Sequence, residues 1–287
     1  MLVVKIGGGK AIDMDAYARF AADVATIDEP LVIVHGGNAE FSQLSEALGM
    51  PPRMLESSSG RISRYVDAAT MDAMLMAYAG KVNKRLVAAF RHAGVNAVGI
   101  SAIDGGIAVG KRKPVIRGTE DGKARIFRDD HAGSVKDFDP TLIQVLMDAG
   151  YVVLVTPPAL SDEGVPINID GDKLALGLAE AMGARGLLFF SDTPGLLADR
   201  YDESSLVRSL DASHPEEALA AASGRMIVKV ESALKAIERG VGQVIFSDAR
   251  VERPITRALA GEGTVVRASG PIAATATAST TSDGNEA

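Results

Sequence analysis

The stretch Leu2-Val3-Val4-Lys5-Ile6-Gly7-Gly8-Gly9 decides the fold of this chain. Leu2–Ile6 reads as a strand, short, apolar on both faces and ended by glycine. A strand apolar on both faces belongs to a parallel sheet covered by helices on each side. The three glycines that follow expose backbone N–H groups and let an anion approach closely. Lys5 breaks the apolar run near its carboxyl end. Burying a lysine is costly unless its charge is used, and open α/β sheets take their ligands at the carboxyl ends of the strands. The loop is not a Walker A motif: Ala11 follows Lys10 where Ser or Thr would bind magnesium, and the glycine spacing is wrong.

Outward from this point the pattern repeats. Val32-Ile33-Val34-His35-Gly36-Gly37-Asn38 is again an apolar strand, a glycine pair and the start of a helix. Two such turns at neighbouring strand ends make a crevice for an anion, with His35 a structural turn residue. Strands are expected at 31–34, 97–100, 152–155, 187–190 and 244–246. Helices are expected at 15–26, 40–48, 140–149, 172–182 and 226–239. The fold class is therefore α/β, a three-layer α-β-α sandwich with a mostly parallel central sheet. Gly106–Arg128 breaks the rhythm: Asp121-Gly122 is a hairpin signal, and Lys113–Thr119 and Lys123–Arg128 read as a β-hairpin projecting from the main sheet. Ala268–Ala287, rich in Ala, Thr, Ser and Gly, reads as a disordered tail.

Composition narrows the function. With no cysteine, thiolate metal sites and cysteine nucleophiles are excluded. A net charge of −7 argues against nucleic-acid binding. No apolar run is long enough for a membrane span, and the N-terminus lacks a signal-peptide pattern, so a cytoplasmic protein is expected.

Three further motifs stand in order after the two glycine turns: Asn168-Ile169-Asp170-Gly171-Asp172, Phe190-Ser191-Asp192-Thr193-Pro194-Gly195-Leu196 and Gly224-Arg225-Met226-Ile227-Val228-Lys229. With Val4-Lys5-Ile6-Gly7-Gly8-Gly9 and Val34-His35-Gly36-Gly37 they resemble the amino acid kinase family, which includes acetylglutamate, carbamate and uridylate kinases. The resemblance spans about residues 1–267. It implies an ATP-dependent phosphotransferase with a carboxyl acceptor and Mg2+ as the accompanying ion. Residues 1–157 would form an N-terminal lobe for acceptor binding and dimerisation, and 158–267 a C-terminal nucleotide lobe.

By that resemblance Lys5 and Lys229 flank the transferring phosphoryl group and Asp172 holds them in place. Gly36, Gly37, Arg64 and Asn168 bind the acceptor, Arg64 gripping its α-carboxylate. Gly7, Gly8, Gly9, Ser191, Asp192, Gly195 and Leu196 border the phosphates and nucleotide. No protein metal ligand is implied. The chemistry suits this cast. A side-chain carboxylate has an unperturbed pKa near ~4.3 and is already ionised at neutral pH, so no general base is needed. The difficulty is bringing two anions together and stabilising charge on the phosphoryl oxygens, which opposed lysines address.

The continuation Asn38-Ala39-Glu40, where acetylglutamate kinases usually have Gly-Pro, resembles the branch that phosphorylates α-aminoadipate or glutamate attached to a small acidic carrier protein, LysW. Residues 111–128 contain seven basic and two acidic side chains, a local balance of 7 − 2 = +5. Such a patch can steer an acidic partner, so Lys111, Arg112, Lys113, Arg117, Arg125 and Arg128 are the expected carrier-docking residues. A homodimer is implied, without the hexamer of arginine-sensitive acetylglutamate kinases. Free N-acetylglutamate as acceptor, or a non-catalytic amino-acid and nucleotide sensor, are the alternatives. Aminoadipate and glutamate differ by one methylene, worth only about 1–3 kcal/mol of discrimination, and both stay open.

Overall fold

The computed structural model describes residues 1–9, 12–56, 60, 62–120, 122–199, 201–220, 222 and 225–269. Lys10, Asp121, Gly224 and most of the expected tail, residues 270–287, lie outside them. Eight strands form the central sheet, in the order 209–211, 264–267, 244–248, 186–191, 2–6, 31–35, 152–156, 97–101. From Val244–Asp248 to Ala97–Ser101 every pairing is parallel. Thr264–Arg267 turns antiparallel at the far side.

Side-chain alternation assigns the two layers. Val3, Val32, Val34, Val153, Val155 and Leu187 face a core completed by the helices Gly171–Ala181 and Arg225–Glu238. Leu2, Val4, Ile6, Ile33, Leu154, Leu188 and Phe190 face the helices Met14–Val24, Asn83–His92 and Pro254–Leu259. In Met14–Val24 the buried Ala16, Tyr17, Phe20, Ala21 and Val24 make one helical stripe, and Asp13 caps its start by accepting from Ala16 N at 3.0 Å. Asp23, buried, caps a second helix across the layer, accepting from Ile255 N and Thr256 N at 2.7 and 2.9 Å.

Lys5 shares the parity of Val3, so its side chain projects to the layer that holds Gly171–Ala181 and Arg225–Glu238. The period of two and the position in the sheet thus aim this lysine at two particular helices. Pro157–Pro158, a cis peptide, falls where the two lobes were expected to divide. The central sheet runs unbroken across that point, since Leu2–Ile6 pairs with Gly186–Ser191.

The basic hairpin leaves the main sheet as expected, over Val115–Glu120 and Lys123–Arg128, and Gly122 has the left-handed φ of 74° that its turn requires. It is not a free arm. Val115–Glu120 also pairs with Met54–Glu56, which pairs with Ile62–Arg64, giving a four-stranded outer sheet. Leu55, Tyr65 and Phe127 fill its inner face. These short strands carry little periodicity in the sequence, and tertiary pairing defines them. A third sheet joins 166–167, 159–161, 108–112 and 133–138. Among the described residues no helix is long and apolar enough to cross a membrane.

Candidate active site

The two glycine turns touch. A Cβ on Gly8 would lie 2.5 Å from Gly37 N and 2.7 Å from the Gly36 carbonyl carbon, so no side chain fits there. A Cβ on Gly37 would meet the Tyr78 ring at 2.8 Å. Gly7 N donates to Phe190 O at 3.1 Å and Gly36 N to Ile6 O at 3.3 Å. Those two amides extend the parallel ladder one residue past each strand, which corrects the expectation that Gly7 and Gly36 offer theirs to a ligand. The amides of Gly8, Gly9 and Gly37 have no backbone acceptor among the described residues and remain as anion donors.

Lys5 Nζ lies 2.6 Å from Asp172 Oδ1. Its side chain is 16% exposed, so the charge is held in a partly dry setting that strengthens the pair. Asp172 stands in the first turn of Gly171–Ala181, but it does not cap that helix. Asp170 does: its Oδ1 accepts from Asp172 N at 2.7 Å and Lys173 N at 3.2 Å. Lys229 sits in the second turn of Arg225–Glu238, with Nζ 5.9 Å from the Phe246 ring centroid. Burial pushes its pKa below the usual lysine value, Asp172 and Asp192 pull it up, and Lys5 pushes it down. Lys5, Asp172 and Lys229 therefore form one electrostatic cluster at the carboxyl edge of the sheet, assembled from a strand and two helices. Lys229 makes no ion pair among the described residues, leaving its ammonium for a ligand.

Arg64 ends the strand Ile62–Arg64 of the outer sheet. Its guanidinium lies 4.5 Å over the Phe41 ring, and Nη1 donates to Asn38 Oδ1 at 3.3 Å. Tyr78 OH donates to the same oxygen at 2.8 Å. Arg64 is thus a packed, oriented cation, with a buried Nε that has no hydrogen-bond partner among the described residues. Tyr78 belongs to a π-helical turn, Met76–Val82, a distortion common at functional sites; its burial raises the phenol pKa to about 12. Asn168 follows the short strand Pro166–Ile167, tied through its backbone to His131 O and Gly133 N at 2.8 and 3.0 Å. His35 is fully buried, with Nδ1 donating to Gly36 O at 2.9 Å and Nε2 facing Asn83 Nδ2 at 3.0 Å. Burial lowers its pKa to about 4, so it is a neutral structural residue, as expected.

On the nucleotide side Ser191 Oγ and Thr193 Oγ1 are 3.1 Å apart, Asp192 is exposed, and Gly195 packs against Leu206 and Thr264 where a Cβ would clash at 2.7 Å. Leu196 departs from expectation. Its side chain is core, 3% exposed, and its amide donates to Thr264 Oγ1 at 2.9 Å; it anchors the turn from behind and does not border a ligand. Two cavities of about 310 and 230 Å³ near the 257–267 edge are lined by other residues, chiefly Arg208, Arg257, Gly261 and Arg267, and stand apart from the lysine cluster.

The expected docking residues split. Lys111, Lys113, Arg117 and Arg128 are exposed. The register of the outer sheet places Arg117 opposite Ile126, Val115 opposite Arg128, and Met54 opposite Arg64. These share one face, where Met54, Ile62, Val115 and Ile126 are exposed apolar side chains. Arg125 lies on the opposite face, 3.5 Å from Glu120, whose carboxylate also takes both hydrogen bonds of Arg53. Arg112 is only 12% exposed, donating Nε to Asp130 O at 2.9 Å and pairing with Asp129. It is removed from the docking set, because its guanidinium is already spent inside the fold.

Asn38, Tyr78, Asp130 and Asp170 are site residues that sequence reasoning did not single out. Asp170 had a readable signal, an acidic residue just before a helix. Asn38, read above only as part of a branch-specific motif, and Tyr78 and Asp130 act through contacts spanning 26 to 64 residues, which no local pattern announces.

The amino acid kinase family model matches residues 1–248. The [LysW]-aminoadipate kinase of Thermus thermophilus is 47% identical over 269 residues, 93% of this chain and 100% of that protein. The [LysW]-aminoadipate kinase of Deinococcus radiodurans is 48% identical over 266 residues, 93% and 91% of the respective chains. Among solved structures, the N-acetylglutamate synthase of Neisseria gonorrhoeae aligns with a TM-score of 0.73 at 24% identity, over 94% of this chain but 59% of that one, a likeness of fold. With its ordered glycine turns, its paired lysines and these matches, the chain belongs to the amino acid kinase family.

Proposed function

We propose that this protein is an ATP-dependent kinase that phosphorylates the side-chain carboxylate of α-aminoadipate, or glutamate, presented on a LysW-type acidic carrier. The observation that carries it is the Lys5–Asp172 pair at 2.6 Å with Lys229 close enough for both charges to act on it. In such a site the acceptor carboxylate oxygen attacks the γ-phosphorus, the bond from that phosphorus to the bridging oxygen breaks, and ADP leaves. No proton moves, so no base is required. Lys5 and Lys229 offset the negative charge that two converging anions accumulate, and Asp172 keeps Lys5 extended toward the reacting atoms. The amides of Gly8, Gly9 and Gly37 hold phosphoryl oxygens. Magnesium would arrive on the nucleotide: it is usually bound by one or two carboxylates plus phosphates, and Asp172 and Asp192 are the carboxylates whose charge reaches Lys229. When bound it neutralises phosphate charge.

Arg64, oriented on Phe41 and Asn38, is suited to the acceptor's α-carboxyl end, with Asn168 beside it. The outer-sheet face that ends at Arg64 mixes the cations Arg117 and Arg128 with exposed Met54, Ile62, Val115 and Ile126. Charge complementarity with an acidic carrier supports docking there, with exposed Lys113 just before the strand Val115–Glu120 and exposed Lys111 in the third sheet as further cations. The lobes 1–157 and 158–267 would bind acceptor and nucleotide respectively, in a cytoplasmic homodimer. The test is acyl-phosphate trapping with hydroxylamine, using carrier-borne aminoadipate and ATP. Wild type yields hydroxamate and Lys5→Ala does not; product from free N-acetylglutamate alone would make the protein an acetylglutamate kinase, and no product from either acceptor would leave a sensor.

A further inference from the structure

The residues between the hairpin and the third sheet, 128–133, tie both proposed acceptor grips together. On one side they clamp Val66, two residues past Arg64. Asp130 Oδ1 accepts from Val66 N at 3.0 Å, and His131 N donates to Val66 O at 2.6 Å. Tyr65 OH donates to Arg128 O alongside. On the other side they clamp Asn168. Its amide donates to His131 O at 2.8 Å, and its carbonyl accepts from Gly133 N at 3.0 Å. His131 Nδ1 donates to Pro166 O at 2.9 Å on the same strand.

This segment is held in an expensive conformation. Asp129 has a left-handed φ of 65°, unfavourable for a residue with a Cβ. Asp130 is fully buried, and its carboxylate meets only the backbone amides of Val66 and Ala132, with no well-aligned bond to Oδ2 among the described residues. Burial pushes its carboxyl above the usual range, the sign of a charge kept where solvation would prefer none. Arg112 secures both: Nη2 pairs with Asp129, and Nε donates to Asp130 O at 2.9 Å. Packing alone would be met more cheaply by an apolar turn.

We propose that Arg112 and Asp130 are positioning residues that fix the separation of Arg64 from Asn168, and hence the acceptor end of the site. This rests on the acceptor roles given to Arg64 and Asn168. Neither residue touches substrate; each acts through the backbone of Val66 and Asn168.

The test compares Arg112→Met, Asp130→Ala and Asp130→Asn with wild type. KM is measured for carrier-borne aminoadipate, for free N-acetylaminoadipate and for ATP, together with the thermal midpoint. Arg112→Met and Asp130→Ala should raise KM for both acceptors by a common factor of about ten, leaving KM for ATP within about twofold. Asp130→Asn, which keeps the oxygen facing Val66 N, should recover most of the loss. A rise confined to the carrier-borne acceptor would make Arg112 a docking residue and overturn the proposal. So would unchanged acceptor KM, or a parallel rise for ATP, which a merely structural role would give. If Asp130→Ala does not fold, Arg112→Met at the rim of the knot decides alone. Wild type inactive on both acceptors sinks the proposed function, and this inference with it; an active wild type with an unaltered Arg112→Met sinks only the inference.

Discussion

Asp170 accepts the amide of Asp172 at 2.7 Å, so the helix N-terminus is capped by one aspartate and the other is released to meet Lys5. Two acidic residues two positions apart thus have separate tasks. Asp170→Ala should cost about 1 kcal/mol of stability, the usual price of a lost cap, with a small effect on turnover. Asp172→Asn should keep the melting temperature within a few degrees while lowering kcat about 100-fold, the scale of removing one preorganised charge contact. Thermal denaturation beside the hydroxamate assay separates the two; equal kinetic losses would contradict the division.

Lys229 supplies a pH signature. Burial lowers its pKa from the usual lysine value, and its charged form is the useful one. Activity should therefore fall as pH rises, starting below the range where an ordinary lysine titrates. The fall should be earlier in kcat/KM, which reports the free enzyme, than in kcat, because bound phosphate favours the ammonium. Lys229→Arg should remove the alkaline limb, whatever its cost in rate.

His35 sets an acid limit on stability. Its folded pKa is about 4 against an unperturbed 6.5, because burial disfavours the imidazolium. Between those values the unfolded chain binds a proton that the native state does not, so stability declines as pH drops from 6.5 toward 4 and levels off below. The full loss is about 3 kcal/mol. Urea titrations at pH 7.5 and 5 check this; a variant such as His35→Asn should lose the pH dependence even if it is less stable throughout.

Docking predicts selectivity between acceptors. Lys111→Glu with Lys113→Glu should raise KM for the carrier-borne acceptor at least about ten times more than KM for a free N-acetylated one, and the wild-type preference should weaken with salt. Equal losses on both acceptors would remove Lys111 and Lys113 from carrier recognition.

What the sequence made legible was whatever depends on local pattern. Leu2–Ile6 and Leu31–His35 announce a parallel sheet, the glycines announce close approach, and Lys5 stands out because it breaks an apolar strand. The outer sheet was half legible: Asp121-Gly122 marked the hairpin, but Met54–Glu56 and Ile62–Arg64 are three-residue strands whose only cause is their partners. Arg112 was misread because a run of basic residues looks uniform until the fold buries one of them against Asp129 and Asp130. Gly7 and Gly36 were misread for a related reason: composition shows which amides are sterically bare, and only the ladder shows which are already used.

Gly8 and Gly36 sit in different turns, yet the Cβ that either lacks would press on the other turn's backbone, at 2.7 Å from Gly36 for Gly8 and 3.1 Å from Gly8 for Gly36. The two turns therefore act as a single joint. Displacing one strand end to admit a methyl group also displaces the other, so Gly8→Ala and Gly36→Ala should be sub-additive in a double-mutant cycle, the first having already caused most of the shared loss.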